Sequence, residues 1–165
     1  VPSLPSKSDA LSFAPPRLLI GGSWVEAEGG RTLAVEDPAT GEVLGSVADA
    51  TPADAAAALS AADQAFQSFR HSSPRFRAEV LRRGYEAVME RREELALLMT
   101  LEMGKPLAEA RTEVAYAAGF LRWSSEEAVR IGGGFARGES GTGRVLTMRL
   151  PVGPCLLITP WNFPL

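Results

Sequence analysis

The chain has 165 residues, 45% hydrophobic and 22% charged, with 17 Lys and Arg against 20 Asp and Glu for a net charge of −3. That length supports one core, or one and a fraction; the composition excludes disordered and fibrous classes, and the mild negative charge offers nothing to nucleic acid or an anionic membrane. No apolar run approaches the roughly 20 residues that span a bilayer, the start lacks a basic and then apolar secretory signal, and a lone Cys155 cannot form an intrachain disulfide, so a cytoplasmic, reducing compartment is expected.

Residues 1–16 carry four prolines and no periodicity, which predicts a flexible arm. Leu18-Leu19-Ile20, Gly21-Gly22 and Ser23-Trp24-Val25 then read as a tight hairpin, because paired glycines supply the positive φ of primed turns. Arg31 to Glu36, the turn Asp37-Pro38-Ala39-Thr40-Gly41 and Glu42 to Val47 complete an expected antiparallel meander.

Thr51-Pro52 starts a helix: the hydroxyl can cap it, proline is tolerated in its first turn, and Asp54 complements the dipole. Ala55, Leu59, Ala62, Phe66 and Phe69 line one face of that helix. Ser73-Pro74 repeats the start signal for a second helix, striped by Leu81, Tyr85, Val88, Leu95 and Met99, with Arg92 filling the missing step, and ended by Gly104. Pro106 opens a third helix with two apolar stripes, one of Leu107, Ala110, Val114, Ala117 and Leu121, the other of Tyr116, Phe120 and Trp123. A surface that wide implies burial on more than one side. Gly132-Gly133-Gly134 stops the helix. Arg144 to Leu150 alternates as a half-buried strand, and after Pro151 to Pro154 the unbroken run Cys155 to Thr159 reads as a strand of a parallel sheet, buried on both faces.

Few residues carry chemistry. The glycines of 132–143 lie between a helix and a strand, the reverse of a phosphate-binding loop, and read as a flexible connection. His71 is the single histidine, so no His pair can ligate a metal, and no metal is expected. Glu90, Glu93, Glu94, Glu126 and Glu127 read as solvated helix faces, and Glu102 and Lys105 as residues flanking a helix junction, where they could pair. Cys155, inside the expected strand and without a basic neighbour in sequence, reads as a core cysteine. Asn162 stands apart. Pro160-Trp161-Asn162-Phe163-Pro164 places a side-chain amide at the carboxyl edge of a parallel strand, where α/β ligands bind, on a backbone that two prolines restrict. An oriented amide N–H can stabilise an oxyanion; by residue type alone, an ordinary turn is the better reading of these five residues.

"PVGPCLLITPWNFPL", with "MTLEMGKPLAEA" (Met99 to Ala110), "AEARTEVAYAAGFLRW" (Ala108 to Trp123), "EEAVRI", "LLIGGSWVEA" and "EDPATGEVLGSVADAT", resembles the aldehyde dehydrogenase family, and is most similar to its succinate-semialdehyde dehydrogenase branch. Ser124-Ser125 departs from that branch, where an aromatic and a small residue are more usual. The resemblance implies the N-terminal part of an aldehyde dehydrogenase-like α/β fold. Its parts would be a flexible arm (1–16), a meander with the helical part of a cofactor-binding domain (17–143), an oligomerisation-type strand (144–153), and a first cofactor-domain strand with its PWNFP turn, truncated (154–165).

It also implies NAD- or NADP-dependent oxidation of a small aldehyde, succinate semialdehyde or a related semialdehyde, by a full-length parent that is a homo-oligomer, dimer or tetramer. Asn162 would hold the oxyanion formed when a cysteine thiolate attacks the carbonyl, and Ile158, Thr159, Pro160, Trp161 and Asn162 would line the cofactor. The family's nucleophilic Cys, Glu base, ribose-binding Lys and glycine motif match no residue of 1–165, so these residues alone are expected to be inactive. Cys155 does not match the nucleophile. The alternative is a non-catalytic remnant that binds other subunits through Arg144 to Leu150. As a separate piece, the chain is expected to leave apolar patches exposed on the third helix and the terminal strand, and to aggregate or be molten.

Overall fold

A computed structural model describes residues 5–12 and 15–165. Its helices are α1 (Lys7–Ser12), α2 (Pro52–Phe69), α3 (Pro74–Glu90), α4 (Arg92–Met103) and α5 (Leu107–Ala128). Its strands are β1 (Leu18–Ile20), β2 (Ser23–Val25), β3 (Thr32–Glu36), β4 (Val43–Ala48), β5 (Gly134–Arg137) and β6 (Arg144–Thr147). The mixed α/β class is as expected.

The hairpin β1–β2 turns at Gly21 and Gly22, both at positive φ. β3 and β4 pair antiparallel around the Asp37 to Gly41 turn, in which the Asp37 carboxylate accepts the Ala39 N–H at 2.8 Å and its carbonyl accepts the Gly41 N–H at 2.8 Å. These are two separate two-stranded sheets and not one meander. The 3-10 turn Glu28–Gly30 intervenes and is tied to the start of α2 instead. There, Thr51 and Asp54 cap reciprocally, and Asp54 also accepts the Glu28 N–H at 3.1 Å. These N–H groups hold the Asp54 carboxyl below the usual aspartate range.

The expected arm over 1–16 is corrected at residues 7–12, which form α1; residues 1–4, 13 and 14 lie outside the described residues. Ser6 and Asp9 exchange hydrogen bonds at 3.1 Å, the reciprocal capping that nucleates a short helix, and Ala10 is fully buried. Lys7 pairs with Glu42 at 2.7 Å.

The expected second helix is two helices. At Arg91 the backbone leaves helical geometry (φ −98°, ψ 19°), which separates α3 from α4. Gly104 ends α4 at φ 77°, a left-handed conformation that lets the chain reverse into Pro106 and α5. The core lies along α4 and α5, where Ala96, Met99, Ala110 and Val114 are buried against Val88, Leu95, Met103 and Leu107. Small residues let the helices approach: Ala118 and Ala78 are buried, and Gly84 faces Leu121. Ser125, the departure noted in the sequence, donates its hydroxyl to the Ala78 carbonyl at 2.9 Å and so links α5 to α3. By contrast, α2 buries none of its residues, although its apolar face is present.

Four further readings are corrected. The glycine-rich connection contains β5, which pairs with β6; a Cβ at Gly133 would collide with the Thr147 carbonyl, so glycine is required there by space. β6 stops at Thr147, and both of its faces are exposed where half-burial was expected. Cys155 to Thr159 forms no strand, and Cys155 is exposed and not in a core. A strand needs a neighbour to satisfy its N–H and C=O groups, and among the described residues no segment pairs with this one.

Leu156 is 85% exposed and Trp123 67%, so the apolar surface expected on the third helix and the terminal segment is present. Leaving it wet forfeits about 25 cal/mol for each Å². A polypeptide of residues 1–165 should therefore sediment as heterogeneous associated species without a sharp thermal transition; a monodisperse monomer with one cooperative melt would contradict this.

Asp54 supplies a pH test. Because its folded pKa lies below its unfolded value, its contribution to stability is present above about pH 4 and is lost as pH falls through the folded pKa. Amide exchange at Glu28 and Thr51, corrected for intrinsic rates, should accelerate over that interval in a folded protein carrying this segment, and Asp54→Asn should remove the pH dependence.

Candidate active-site turn

Pro160 to Phe163 form a turn closed by the Phe163 N–H, which donates to the Pro160 carbonyl at 3.0 Å. Two residues distant in sequence hold it. The Lys105 ammonium donates to the Asn162 carbonyl at 2.7 Å and lies 4.4 Å from the centre of the Phe163 ring. It also pairs with the Glu113 carboxylate, whose other oxygen accepts the Leu165 N–H at 3.3 Å. The backbone is thus gripped on both sides of Phe163-Pro164, from a cation in the α4–α5 link and an anion on α5.

This pair is buried: the side chains of Lys105 and Glu113 are 12% and 3% exposed. Desolvated charges are stable only when matched by good partners, and removing one member of such a pair costs about 3–5 kcal/mol. Here each charge has a partner besides the other, the Asn162 carbonyl for the ammonium and the Leu165 N–H for the carboxylate. The expected junction pair of Glu102 with Lys105 is not formed. Glu102 lies instead at the edge of a hollow lined by Leu11, Val35, Leu44 and Leu98, where partial desolvation raises its carboxyl pKa although the residue stays exposed.

Asn162 sits at the exposed tip. Its hydrogen bond among the described residues is made through the main-chain carbonyl, and the side-chain amide is left facing solvent with its N–H groups available. Ile158, Thr159, Pro160 and Trp161 precede it as exposed, non-helical chain. Ile158 and Trp161 offer apolar surface and the unpaired backbone offers donors, a mixture that could hold one flank of a nicotinamide dinucleotide. The Cys155 thiol donates to the Gly153 carbonyl at 3.6 Å. His71 lies in the turn after α2, its N–H donating to the Ser68 carbonyl at 3.1 Å. Among the described residues, no cluster of three His, Cys, Asp or Glu could hold a metal.

Sequence reasoning missed Glu113 and underrated Lys105. A signal was present: extended one step toward the N-terminus, the stripe of Tyr116, Phe120 and Trp123 reaches Glu113, an acidic residue at the head of an apolar face. A carboxylate in that position calls for a cation, and Lys105 lies just before the helix.

The family model described as the aldehyde dehydrogenase family matches residues 24–165. A succinate-semialdehyde dehydrogenase of Paenarthrobacter nicotinovorans is 58% identical over 123 residues, covering 74% of this chain and 27% of that protein. An Escherichia coli (strain K12) succinate-semialdehyde dehydrogenase designated NADP(+) is 42% identical over 146 residues, covering 88% of this chain and 30% of that protein. The chain therefore spans less than a third of the length of these relatives. The crystal structure of succinate-semialdehyde dehydrogenase from Burkholderia pseudomallei superposes with a TM-score of 0.88 at 42% identity, over 93% of this chain and 32% of that one.

Proposed function

Because the chain belongs to the aldehyde dehydrogenase family, we propose that it forms the N-terminal part of an NAD- or NADP-dependent enzyme that oxidises succinate semialdehyde or a related semialdehyde to the acid. The observation that carries this reading is the Asn162 amide, free at the tip of a turn whose backbone is gripped by Lys105 and Glu113. An amide on a mobile loop would lose entropy each time it engaged a substrate. One whose main chain is already held acts as a preorganised donor.

In this reading the Asn162 side-chain N–H donates to the carbonyl oxygen of the aldehyde and strengthens its bond as that oxygen gains negative charge on nucleophilic attack. Bonding that grows toward the transition state raises the rate without tightening ground-state binding. Ile158, Thr159, Pro160 and Trp161 pack along the dinucleotide, whose nicotinamide ring when bound supplies the hydride acceptor. The match to relatives named for succinate semialdehyde supports the substrate class.

Oligomerisation is the second part of the reading, and a separate observation favours it. The β5–β6 hairpin exposes Phe135 and Leu146, and Met148 and Leu150 continue that surface, so a second subunit has apolar area to cover. The same surface would serve an interaction module without catalysis.

In a full-length enzyme carrying this segment, Asn162→Ala should lower the chemical rate by about 10²- to 10³-fold, the usual cost of one oxyanion donor. Dinucleotide binding should change little. A single-turnover rate within about twofold of wild type would reduce the turn to a structural role. Residues 1–165 alone should not reduce NAD⁺ or NADP⁺ with succinate semialdehyde, because neither nucleophile nor base of the family pattern lies among them. Aldehyde-dependent reduction that disappears on Cys155→Ala would overturn that expectation.

A further inference from the structure

We infer that Lys105 is a positioning residue for the oxyanion site, acting through the main chain of Asn162 with Glu113 as its buried counter-ion. The inference rests on the reading of Asn162 given above and extends it to residues that do not themselves meet substrate.

Three features of the geometry carry it. First, the contact is with the Asn162 carbonyl and not its side chain, so the ammonium fixes the peptide plane while leaving the amide free. Second, the cation does not sit there as a mobile surface lysine would. The Glu113 carboxylate pairs with it, the ammonium lies over the Phe163 ring, and the lysine side chain is almost wholly buried. Third, Glu113 reaches past the turn to the Leu165 N–H, so the lysine–glutamate pair bridges two points of the segment from a rigid helix. The prolines at 160 and 164 have no N–H to offer a neighbouring element. Among the described residues, the hydrogen bonds that reach the segment from α5 and the link before it are those of Lys105 to the Asn162 carbonyl and of the Leu165 N–H to Glu113.

A donor must lie within hydrogen-bond distance of the developing oxyanion, and a displacement of about 1 Å can cost about 10²-fold in rate. Releasing the Asn162 carbonyl would permit such a displacement. The loss would appear in the chemical step, because the contacts of Lys105 are with the Asn162 carbonyl, the Glu113 carboxylate and the Phe163 ring, and it acts here through the turn.

The test is a double-mutant cycle in a full-length enzyme carrying this segment, read by single-turnover kinetics with NADP⁺ and succinate semialdehyde. Lys105→Met keeps an unbranched apolar side chain of similar length and removes the charge. It should lower the chemical rate by about 10- to 100-fold and leave KM for the dinucleotide within about threefold of wild type. Combined with Asn162→Ala, it should slow the reaction by no more than about threefold beyond Asn162→Ala alone, since a residue that acts through the amide has nothing left to position. If Lys105→Met does not fold because Glu113 is left buried without a cation, Lys105→Met with Glu113→Gln carries the same cycle.

A wild-type rate in the lysine variant overturns the inference. So do losses that multiply in the combined variant, or a KM for the dinucleotide that rises in step with the fall in rate. In those cases the reading of Asn162 stands, provided that Asn162→Ala is slow. A wild-type rate in Asn162→Ala overturns that reading, and the inference with it.

Discussion

The ammonium of Lys105, shared between the Glu113 carboxylate and the Asn162 carbonyl, ties the helical part of the chain to the segment that carries the candidate chemistry. Its position depends on several local decisions. Gly104 turns the backbone left-handed at the end of α4, and Pro106 starts α5, so Lys105 stands in a reversal beside the first turns of the helix it precedes. Glu113 lies two turns into α5 on the side facing the terminal segment. A charge so buried would be costly alone; matched by the other and by backbone partners, the two become a directional link between elements 57 residues apart.

Helix α5 is the shared wall of the structure. One side packs on α3 and α4 through Ala110, Val114 and Ala118, residues small enough to let the axes approach. Another side carries Tyr116 and Phe120 in edge-to-face contact at 4.9 Å between ring centres, with Trp123 one turn further, all exposed. Between these sides stands Glu113. The helix thus presents a finished core, an apolar face that remains wet and, at their boundary, the anchor for the turn. The salt bridges on the solvent face of α3 are of another kind. Arg82 lies between Glu79 and Glu86 on the solvent face of α3 and draws the Glu79 carboxyl down to about 2, but exposed pairs of this type add little to stability.

Much of the local structure was legible in residue types. Thr51, Pro52 and Asp54 announced the start of α2, Ser73 and Pro74 that of α3, and Gly104 the end of α4, because caps and breakers act through atoms within four residues of themselves. Gly21 and Gly22 marked their hairpin in the same way. Short-range signals were also overlooked: Ser6 and Asp9 have the spacing of reciprocal caps, yet the prolines around them argued for a disordered arm. The break at Arg91 had only a faint mark: no glycine or proline stands there, but Arg92 fills a step at which the apolar stripe between Val88 and Leu95 is interrupted.

At the level of function, the stretch around Pro160 to Pro164 carries part of the family resemblance and draws attention to Asn162, because a proline-bracketed amide is a local feature. What the sequence could not decide was which distant groups would meet. By residue order Lys105 could pair with Glu102, its near neighbour in the chain; the structure joins it to Glu113 and Asn162. The same limit applies to Cys155 to Thr159, whose composition suits a buried strand but whose hydrogen bonds depend on a neighbour that no described residue supplies. Capping, turn geometry and periodicity are set by atoms a few bonds apart and can be read from residue order. Burial, ion pairing and strand pairing are set by which surfaces meet through space, and that is decided only when the helices pack.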